Sequence, residues 1–182
     1  MKTNIAIGVV LFVSCYLLFV ICKYWYADTK FASGQRSQGK DLAGAYENLT
    51  EAVQYNPDEP AILSEYAISA AYVANATQNK DFAQQAINLA SRAIAVSPHH
   101  PNYYKSMTRS LILISDVEPQ ALALAAEVLT KAAVLSPTDP RIPHNQAVIA
   151  KYLGKLDEAK VFAQRALDLK PDFGDARKLL QN

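Results

Sequence analysis

The sequence predicts an all-α protein in which an apolar N-terminal helix precedes an array of helical hairpins. Two observations lead to this prediction. Prolines recur at similar spacing, since Pro57, Pro98, Pro137 and Pro171 stand 41, 39 and 34 positions apart. The stretch 5–22 contains no charged residue. A period of that size is typical of repeat proteins, and an uncharged run of that length is typical of a membrane-spanning helix.

Each of the first three prolines is followed three positions later by a second one, at Pro60, Pro101 and Pro140. The first proline of a pair lacks an N–H and clashes with the preceding turn, so it ends a helix. The second fits the first turn of the next helix, where a missing donor costs nothing. Asp139 can cap the helix that follows it, whereas Glu59 and His100 hold the same place with poorer capping groups. Each P-x-x-P therefore predicts a tight turn between antiparallel helices.

Small residues recur at matching places before successive closing prolines, at Ala45 and Ala52, Ala86 and Ala93, Ala125 and Ala132, and Ala159 and Ala166. Ala147 and Gly154 complete the pattern in the last repeat. On these residues and Pro171, the stretch 27–182 resembles the tetratricopeptide repeat (TPR) family. The resemblance implies a right-handed α-solenoid of about four hairpins with a C-terminal capping helix. The chain departs from the family pattern, because the second and third repeats are about seven and five residues longer.

The repeats are expected at 27–57, 58–98, 99–137 and 138–171, with the cap at 172–182. The anchor helix is expected to run without a linker into the first repeat, to about residue 40. The later helix pairs are expected at 60–78 with 80–97, 101–115 with 118–136, and 140–153 with 155–170, and Pro119 is expected at a helix start. In the cap, Ala176, Leu179 and Leu180 should face inward.

Residues 1–26 are predicted to form a single-pass transmembrane anchor. Eighteen helical residues span about 27 Å, close to the hydrocarbon thickness of a bilayer. The expected membrane-interface belt consists of Lys23, Tyr24, Trp25 and Tyr26. A cleaved signal peptide is the alternative, but it has a shorter apolar core. Through 5–22 the chain would contact lipid or neighbouring apolar helices.

The side of the membrane that carries the repeats stays open. The basic residues beyond the apolar stretch favour the cytoplasm, whereas a lone anchor with a short amino end often inserts the other way. Cys15 and Cys22 lie seven positions apart on one face of the predicted helix. We interpret them as apolar filler, with palmitoylation or a disulfide between two copies as the alternatives.

Composition and motifs argue against catalysis and against nucleic-acid binding. The chain has 18 basic and 17 acidic residues, so no basic surface is indicated. It lacks a glycine-rich phosphate loop and a G-x-S-x-G motif, and both cysteines lie in the apolar helix. His99 and His100 are adjacent in a turn, which suits solvent exposure better than metal binding. We therefore expect no enzyme activity, no cofactor and no metal site.

The first helix of each TPR pair lines the concave face, and the third repeat places Lys105 and Arg109 there. They are four positions apart and therefore project in the same direction. Their phase resembles half of the two-carboxylate clamp of chaperone-binding TPR proteins, although Ser64 and Ile68 stand at the matching places one repeat earlier. A solvated helix face is the alternative. The predicted residues for binding a protein or peptide partner are Tyr103, Tyr104, Lys105, Arg109 and Asn145.

Three functions are compatible with this pattern. The first is a membrane-anchored TPR scaffold for protein–protein interaction, without catalysis. The second follows from the stretches 56–60 and 97–104, which resemble the C-terminal tail of bacterial O-antigen ligase and polymerase-type membrane proteins. That resemblance implies a non-catalytic accessory or detached tail in surface-glycan assembly. The third is a homo-oligomer or filament whose apolar N-terminal helices bundle.

Overall fold

The computed structural model describes residues 2–181, with side chains from Ile7 onward. Met1 and Asn182, the outermost residues of the predicted anchor and cap, lie outside this part. Within it the regular elements are all α-helices, and no strand occurs. They are α1 (Lys2–Ser37), α2 (Leu42–Tyr55), α3 (Pro60–Thr77), α4 (Lys80–Val96), α5 (Pro101–Leu113), α6 (Ala121–Leu135), α7 (Arg141–Tyr152), α8 (Leu156–Leu169) and α9 (Gly174–Gln181). The all-α prediction is confirmed.

The helices form four hairpins, α1–α2, α3–α4, α5–α6 and α7–α8, and α9 packs against α8. The small residues that mark the repeat are buried at the contacts between helices. Their exposed fractions are 0% for Ala45, Ala52, Ala86, Ala125, Ala132, Ala147 and Ala166, 1% for Ala93 and 5% for Ala159. Small side chains at these places let paired helices approach closely. The predicted solenoid with a capping helix is therefore confirmed, and Ala176 of the cap is buried as expected.

The helix α1 is a single element of 36 residues with two different surroundings. Its first part is exposed, whereas its last turns pack along α2. The approach is close at Gly34, where an added Cβ would lie 2.6 Å from Leu49 Cγ. The hydroxyl of Tyr26 donates to Glu51 at 2.8 Å, and Lys30 Nζ lies 3.0 Å from the same carboxylate. The apolar stretch is thus continuous with the first repeat, without a flexible linker.

One helix among the described residues is long and apolar enough to cross a membrane by length and composition. It covers Ile7–Ser37, has a mean hydropathy of 2.2 in its apolar window, and none of that window is buried. A membrane anchor and a signal sequence both have these properties.

The polar contacts before these three helices follow the ranking expected from the sequence, although the residue directly before α7 is Pro140 and Asp139 precedes it. The Asp139 carboxylate accepts the Arg141 N–H at 3.0 Å. Glu59 accepts from Ala61 only at 3.4 Å, and His100 makes no side-chain cap. Aspartate has the short side chain that reaches a free N–H of the first turn most easily.

The additional residues of the second and third repeats enter the fold differently. In the second repeat they lengthen the helices, since α3 and α4 have 18 and 17 residues while α7 and α8 have 12 and 14. In the third repeat they form the connection 114–120. The prediction that a helix starts at residue 118 is wrong, because α6 begins at Ala121. Buried Ile114 accepts the N–H groups of Val117 and Glu118, which holds this connection in a turn.

Candidate partner-binding groove

The junctions between successive hairpins are not equivalent. In the described part of the chain, α3 packs directly along α5. No comparable contact joins α5 to α7, and the last hairpin is joined to the third mainly through α6 and α7. The separation leaves a groove of about 640 Å³ on the concave side, bounded by α3, α5, α7 and the start of α9.

The groove combines apolar and charged side chains. Its apolar residues are Ile68, Ile112, Leu113 and Phe173, and its polar and charged residues are Glu65, Lys105, Ser106, Arg109, Arg141, His144, Asn145 and Asp175. Lys105, Arg109 and Ile112 follow one another at helical spacing along α5, so that helix presents a mixed stripe to the groove. An apolar surface with a few placed charges is typical of sites that bind peptides or small molecules.

A buried carboxylate connects the two walls of the groove. Asp139 lies in the turn before α7, and its side chain is 10% exposed. Lys105 Nζ of α5 donates to its Oδ2 at 2.6 Å, and Arg141 Nε donates to its Oδ1 at 3.0 Å. Burial alone would raise the pKa of Asp139, but the hydrogen bonds from Arg141 and Lys105 outweigh it and lower the pKa to about 2. The carboxylate is therefore ionised at neutral pH, and it neutralises part of the positive charge on α5.

Arg109 has a different environment from Lys105. Its Nη2 donates to the hydroxyl of Tyr72 at 2.8 Å, and its guanidinium carbon lies 5.7 Å from the centre of that ring. Within residues 2–181 no carboxylate lies at ion-pair distance from Arg109. The side chain is exposed to the groove, so its charge remains available to a ligand.

The opposite wall is formed by His144, Asn145 and Phe173. The rings of His144 and Phe173 lie 4.9 Å apart, and His144 Nδ1 is 3.3 Å from Asn145 Oδ1. Phe173 comes from the turn between α8 and α9, so the cap contributes to the groove as well as closing the solenoid. No three His, Cys, Asp or Glu side chains in the described part of the chain come together as they would around a metal ion.

Comparison with known proteins shows the fold. No family model and no curated protein matches the chain. Among solved structures, MamA from Desulfovibrio magneticus RS-1 superposes with a TM-score of 0.62 and 18% identity over 85% of this chain and 81% of that one. PilF of Pseudomonas aeruginosa superposes with a TM-score of 0.65 and 15% identity, over 87% of this chain and 67% of PilF. The structure of the APC/C hetero-tetramer Cut9–Hcn1 superposes with a TM-score of 0.64 and 18% identity, over 84% of this chain and 29% of the matched chain.

The fold is a TPR-like α-solenoid. At these identities the likeness concerns the fold alone. It agrees with the resemblance carried by the repeat prolines and alanines. The resemblance to O-antigen ligase and polymerase-type proteins is not shown by these structures.

The TPR-like arrangement brings three of the five predicted partner-binding residues together. Lys105, Arg109 and Asn145 all line the groove. Lys105 is already paired with Asp139, so Arg109 is the freer cation of the two. Apolar Ile68 lies where the two-carboxylate clamp would continue, which gives this groove an apolar floor instead.

The two tyrosines lie elsewhere. Tyr104 is 8% exposed, and its hydroxyl donates to the Pro98 carbonyl at 2.8 Å. The prediction that Tyr104 lines the groove is therefore wrong. One step along a helix rotates a side chain by about 100°, which turns Tyr104 away from Lys105 and into the core. Tyr103 stacks beside His100 with ring centres 4.8 Å apart, outside the groove lining. Burial raises the pKa of Tyr103, and the nearby charge of Glu59 adds to the effect.

Sequence reasoning missed the apolar side of the groove. Ile112 follows Arg109 by three positions, so the helical period could have identified it. Phe173 lies in a turn, and no spacing in the sequence places it beside His144.

The predicted membrane-interface residues point in different directions. Trp25 is 68% exposed and Tyr24 45% exposed. Tyr26 turns toward α2 and bonds Glu51, whereas Lys23 is half-buried with its Nζ 5.7 Å from the Tyr24 ring centre. Trp25 and Tyr24 are therefore exposed, whereas Tyr26 contacts the first repeat, and their role at a membrane interface stays a prediction.

Proposed function

We propose that this chain is a membrane-anchored TPR scaffold that binds a protein or peptide segment in its concave groove and catalyses no reaction. The observation that supports this function is the groove between α5 and α7, where an uncompensated Arg109 lies one turn from Ile112. Surfaces of this composition recognise chain segments by apolar contact and charge. Cut9, which shares the fold, occurs in a hetero-tetramer with Hcn1.

The chemistry of the groove suggests the chemistry of the segment. Ile68, Ile112 and Leu113 offer contact to an apolar side chain. Arg109 offers two donors to a carboxylate in the geometry that guanidinium groups favour. A segment with an apolar residue close to an acidic residue or a carboxyl terminus would use both features.

The anchoring part of the proposal comes from α1. From Ile7 onward its apolar stretch is almost entirely exposed, and it continues into the first repeat without a linker. An exposed apolar surface of this extent is unfavourable in water and is expected to be covered by lipid or by other apolar helices. The groove would then be held at a fixed position relative to the membrane.

Photo-crosslinking in native membranes tests the binding function. A photoreactive residue is placed at Arg109 or Asn145 in the groove, and at Lys131 as the control, an exposed residue of α6. We expect the same partner protein to be captured from positions 109 and 145 but not from 131. Equal capture from all three positions, or capture of lipid and other copies alone, would contradict groove binding. Arg109→Gln should then weaken capture from 145, because the charge is removed while the apolar wall remains.

The anchor is tested on the protein purified from cells. Alkaline extraction of membranes should leave the chain in the pellet, and mass spectrometry should find the apolar stretch in the mature protein. A mature chain that begins after Cys22 would contradict the anchor and support the signal-peptide alternative.

Self-association through α1 is a second candidate function. The observation that favours it is the same exposed apolar surface, which a second α1 could cover in place of lipid. Detergent-resistant oligomers that disappear when residues 1–26 are removed would support it. The accessory role in glycan assembly stays a hypothesis, since it rests on the sequence resemblance alone, and recovery of an integral glycosyltransferase with the chain would favour it.

A further inference from the structure

One edge of the solenoid is tied to the point where α1 leaves its apolar stretch. The end of α2 lies against α1, since the rings of Tyr26 and Tyr55 are 4.8 Å apart. The turn that follows α2 is held by the next hairpin, because Arg92 Nη2 donates to the Pro57 carbonyl at 3.0 Å. The first P-x-x-P turn, Pro57–Pro60, therefore lies at the end of the first hairpin where α1 leaves its apolar stretch. In the antiparallel hairpin, the turn at 38–41 lies at the opposite end.

A cleft opens between α1 and the end of α2 at this edge. It has a volume of about 450 Å³ and is lined by Phe19, Cys22, Lys23, Tyr26, Gln54 and Tyr55. Phe19 and Cys22 belong to the uncharged stretch, whereas Lys23 and Gln54 are polar. The cleft thus runs from the depth of hydrocarbon to the depth of lipid headgroups.

The charge at the mouth of the cleft is positive. The acidic group nearest to it along α2 is Glu51, which accepts a hydrogen bond from Tyr26 and pairs with Lys30 at 3.0 Å. Lys23 makes no ion pair in the part of the chain that the structure describes. Its side chain is half-buried, at the point where the exposed apolar stretch of α1 gives way to the turns that pack on α2. The Lys23 ammonium, whose Nζ lies 5.7 Å from the Tyr24 ring centre, is therefore not neutralised by a carboxylate of the described residues.

We propose that this cleft binds one anionic phospholipid. The acyl chain lies along Phe19 and Cys22, and the headgroup phosphate is bound by Lys23 with the Gln54 amide beside it. A free phosphate would leave the apolar part of the cleft uncovered. A second α1 would leave the Lys23 ammonium without a negative partner. The assignment rests on the membrane anchoring proposed above and names the lipid class at that interface.

The single tryptophan of the chain makes this testable. In the full-length protein, Trp25→Phe combined with Tyr55→Trp moves the only indole into the cleft. The protein is placed in phosphatidylcholine vesicles that contain a minor fraction of phosphatidylglycerol, with bromine on the acyl chains of one lipid or of the other. We expect the brominated phosphatidylglycerol to quench the indole about fivefold more than its share of the lipid, the enrichment expected for one lysine at an anionic surface.

Charge variants separate specific binding from general contact. Lys23→Gln should abolish the preference for phosphatidylglycerol. Lys40→Gln makes the same change of charge in the turn between α1 and α2, at the far end of the hairpin, and should keep the preference. Quenching by each brominated lipid in proportion to its share of the membrane, or a preference that survives Lys23→Gln, overturns the proposal. Where Tyr55→Trp fails to fold, Gln54→Trp places the reporter on the same wall.

The same measurement distinguishes an error in the lipid-binding proposal from an error in the anchoring proposal. If the parent protein's Trp25 is quenched while the cleft reporter is not, the chain is in the membrane and the cleft holds no lipid, which overturns this proposal alone. If neither position is quenched by either lipid, the chain is not anchored, and both proposals are wrong.

Discussion

Two junctions between successive hairpins pack differently. One joins the second hairpin to the third, and the other joins the third to the fourth. At the first, α3 lies directly on α5. The hydrophobic core is common to both junctions, since Ile142 and Ile149 of α7 belong to the same buried cluster. At the second, α5 and α7 stand apart, and the space between them is the concave groove. One TPR-like array thus contains a closed junction that contributes stability and an open junction that contributes a binding surface.

The difference is visible on a single helix. Leu111 is 1% exposed and lies in the main hydrophobic core. Leu113, two positions later, is partly buried, borders that core and lines the groove. Two steps along a helix rotate a side chain by about 200°, so α5 contributes to the core with one face and to the groove with the other.

The largest expected effect is that of Leu111→Ala. Removing a fully buried leucine leaves a cavity and should lower the free energy of unfolding by about 2–5 kcal/mol. Leu113→Ala, the control, removes the same atoms from a partly solvated wall and should cost roughly 1 kcal/mol. Chemical unfolding followed by circular dichroism measures both. Equal losses would show that the groove is closed in solution and that the two junctions are alike.

Much of the fold was predictable from the sequence because its signals are local. Prolines end and begin helices by their own covalent geometry, and Asp139 caps a helix two residues away. The small residues specify close helix contacts whatever their partners are. The pairing of Lys105 and Arg109 on one helix face followed from their spacing.

The open junction and the environment of the candidate residues were not predictable in this way. Lys105 meets Asp139 across 34 positions, and Phe173 enters the groove from a turn, so both contacts depend on how hairpins stack. An aromatic side chain such as that of Tyr104 suits either a binding surface or a core, so the residue type does not decide between the two. The sequence shows that the third repeat is longer, but not that the additional residues form the connection 114–120.

A second prediction tests whether the last hairpin remains closed beside the open junction. Ala159 of α8 is 5% exposed at the contact with α7. Ala159→Trp should therefore overpack this contact and lower the free energy of unfolding by about 1–3 kcal/mol or more. Val161→Trp is the matched control, since Val161 is on the same helix and 68% exposed. An unchanged melting temperature for Ala159→Trp would mean that α7 and α8 do not form the expected hairpin.

The smallest of these effects concerns Asp139, which bridges the open junction. Asp139→Asn keeps the shape of the side chain but removes the charge that Lys105 and Arg141 share. We expect a loss of about 1–2 kcal/mol at neutral pH, less than the full pKa difference would give, because Arg141 is 67% exposed and screened by solvent. The free energy of unfolding from urea titration measures it. Lys131→Gln, which removes an exposed pair within α6, is the control and should cost less than about 0.5 kcal/mol.

The pH dependence of that loss identifies its cause. The pKa of Asp139 in the folded protein is about 2, below its ordinary value of 3.8. A carboxylate with a lowered pKa stabilises the fold above its ordinary pKa, and this stabilisation disappears as the pH falls through the folded value. The difference between the parent and Asp139→Asn should therefore be constant above about pH 5 and shrink toward zero between about pH 4 and 2. A difference that stays the same down to pH 2 would mean that the bridge acts through shape rather than charge, and the open junction would then be held by packing at α6 and α7 alone.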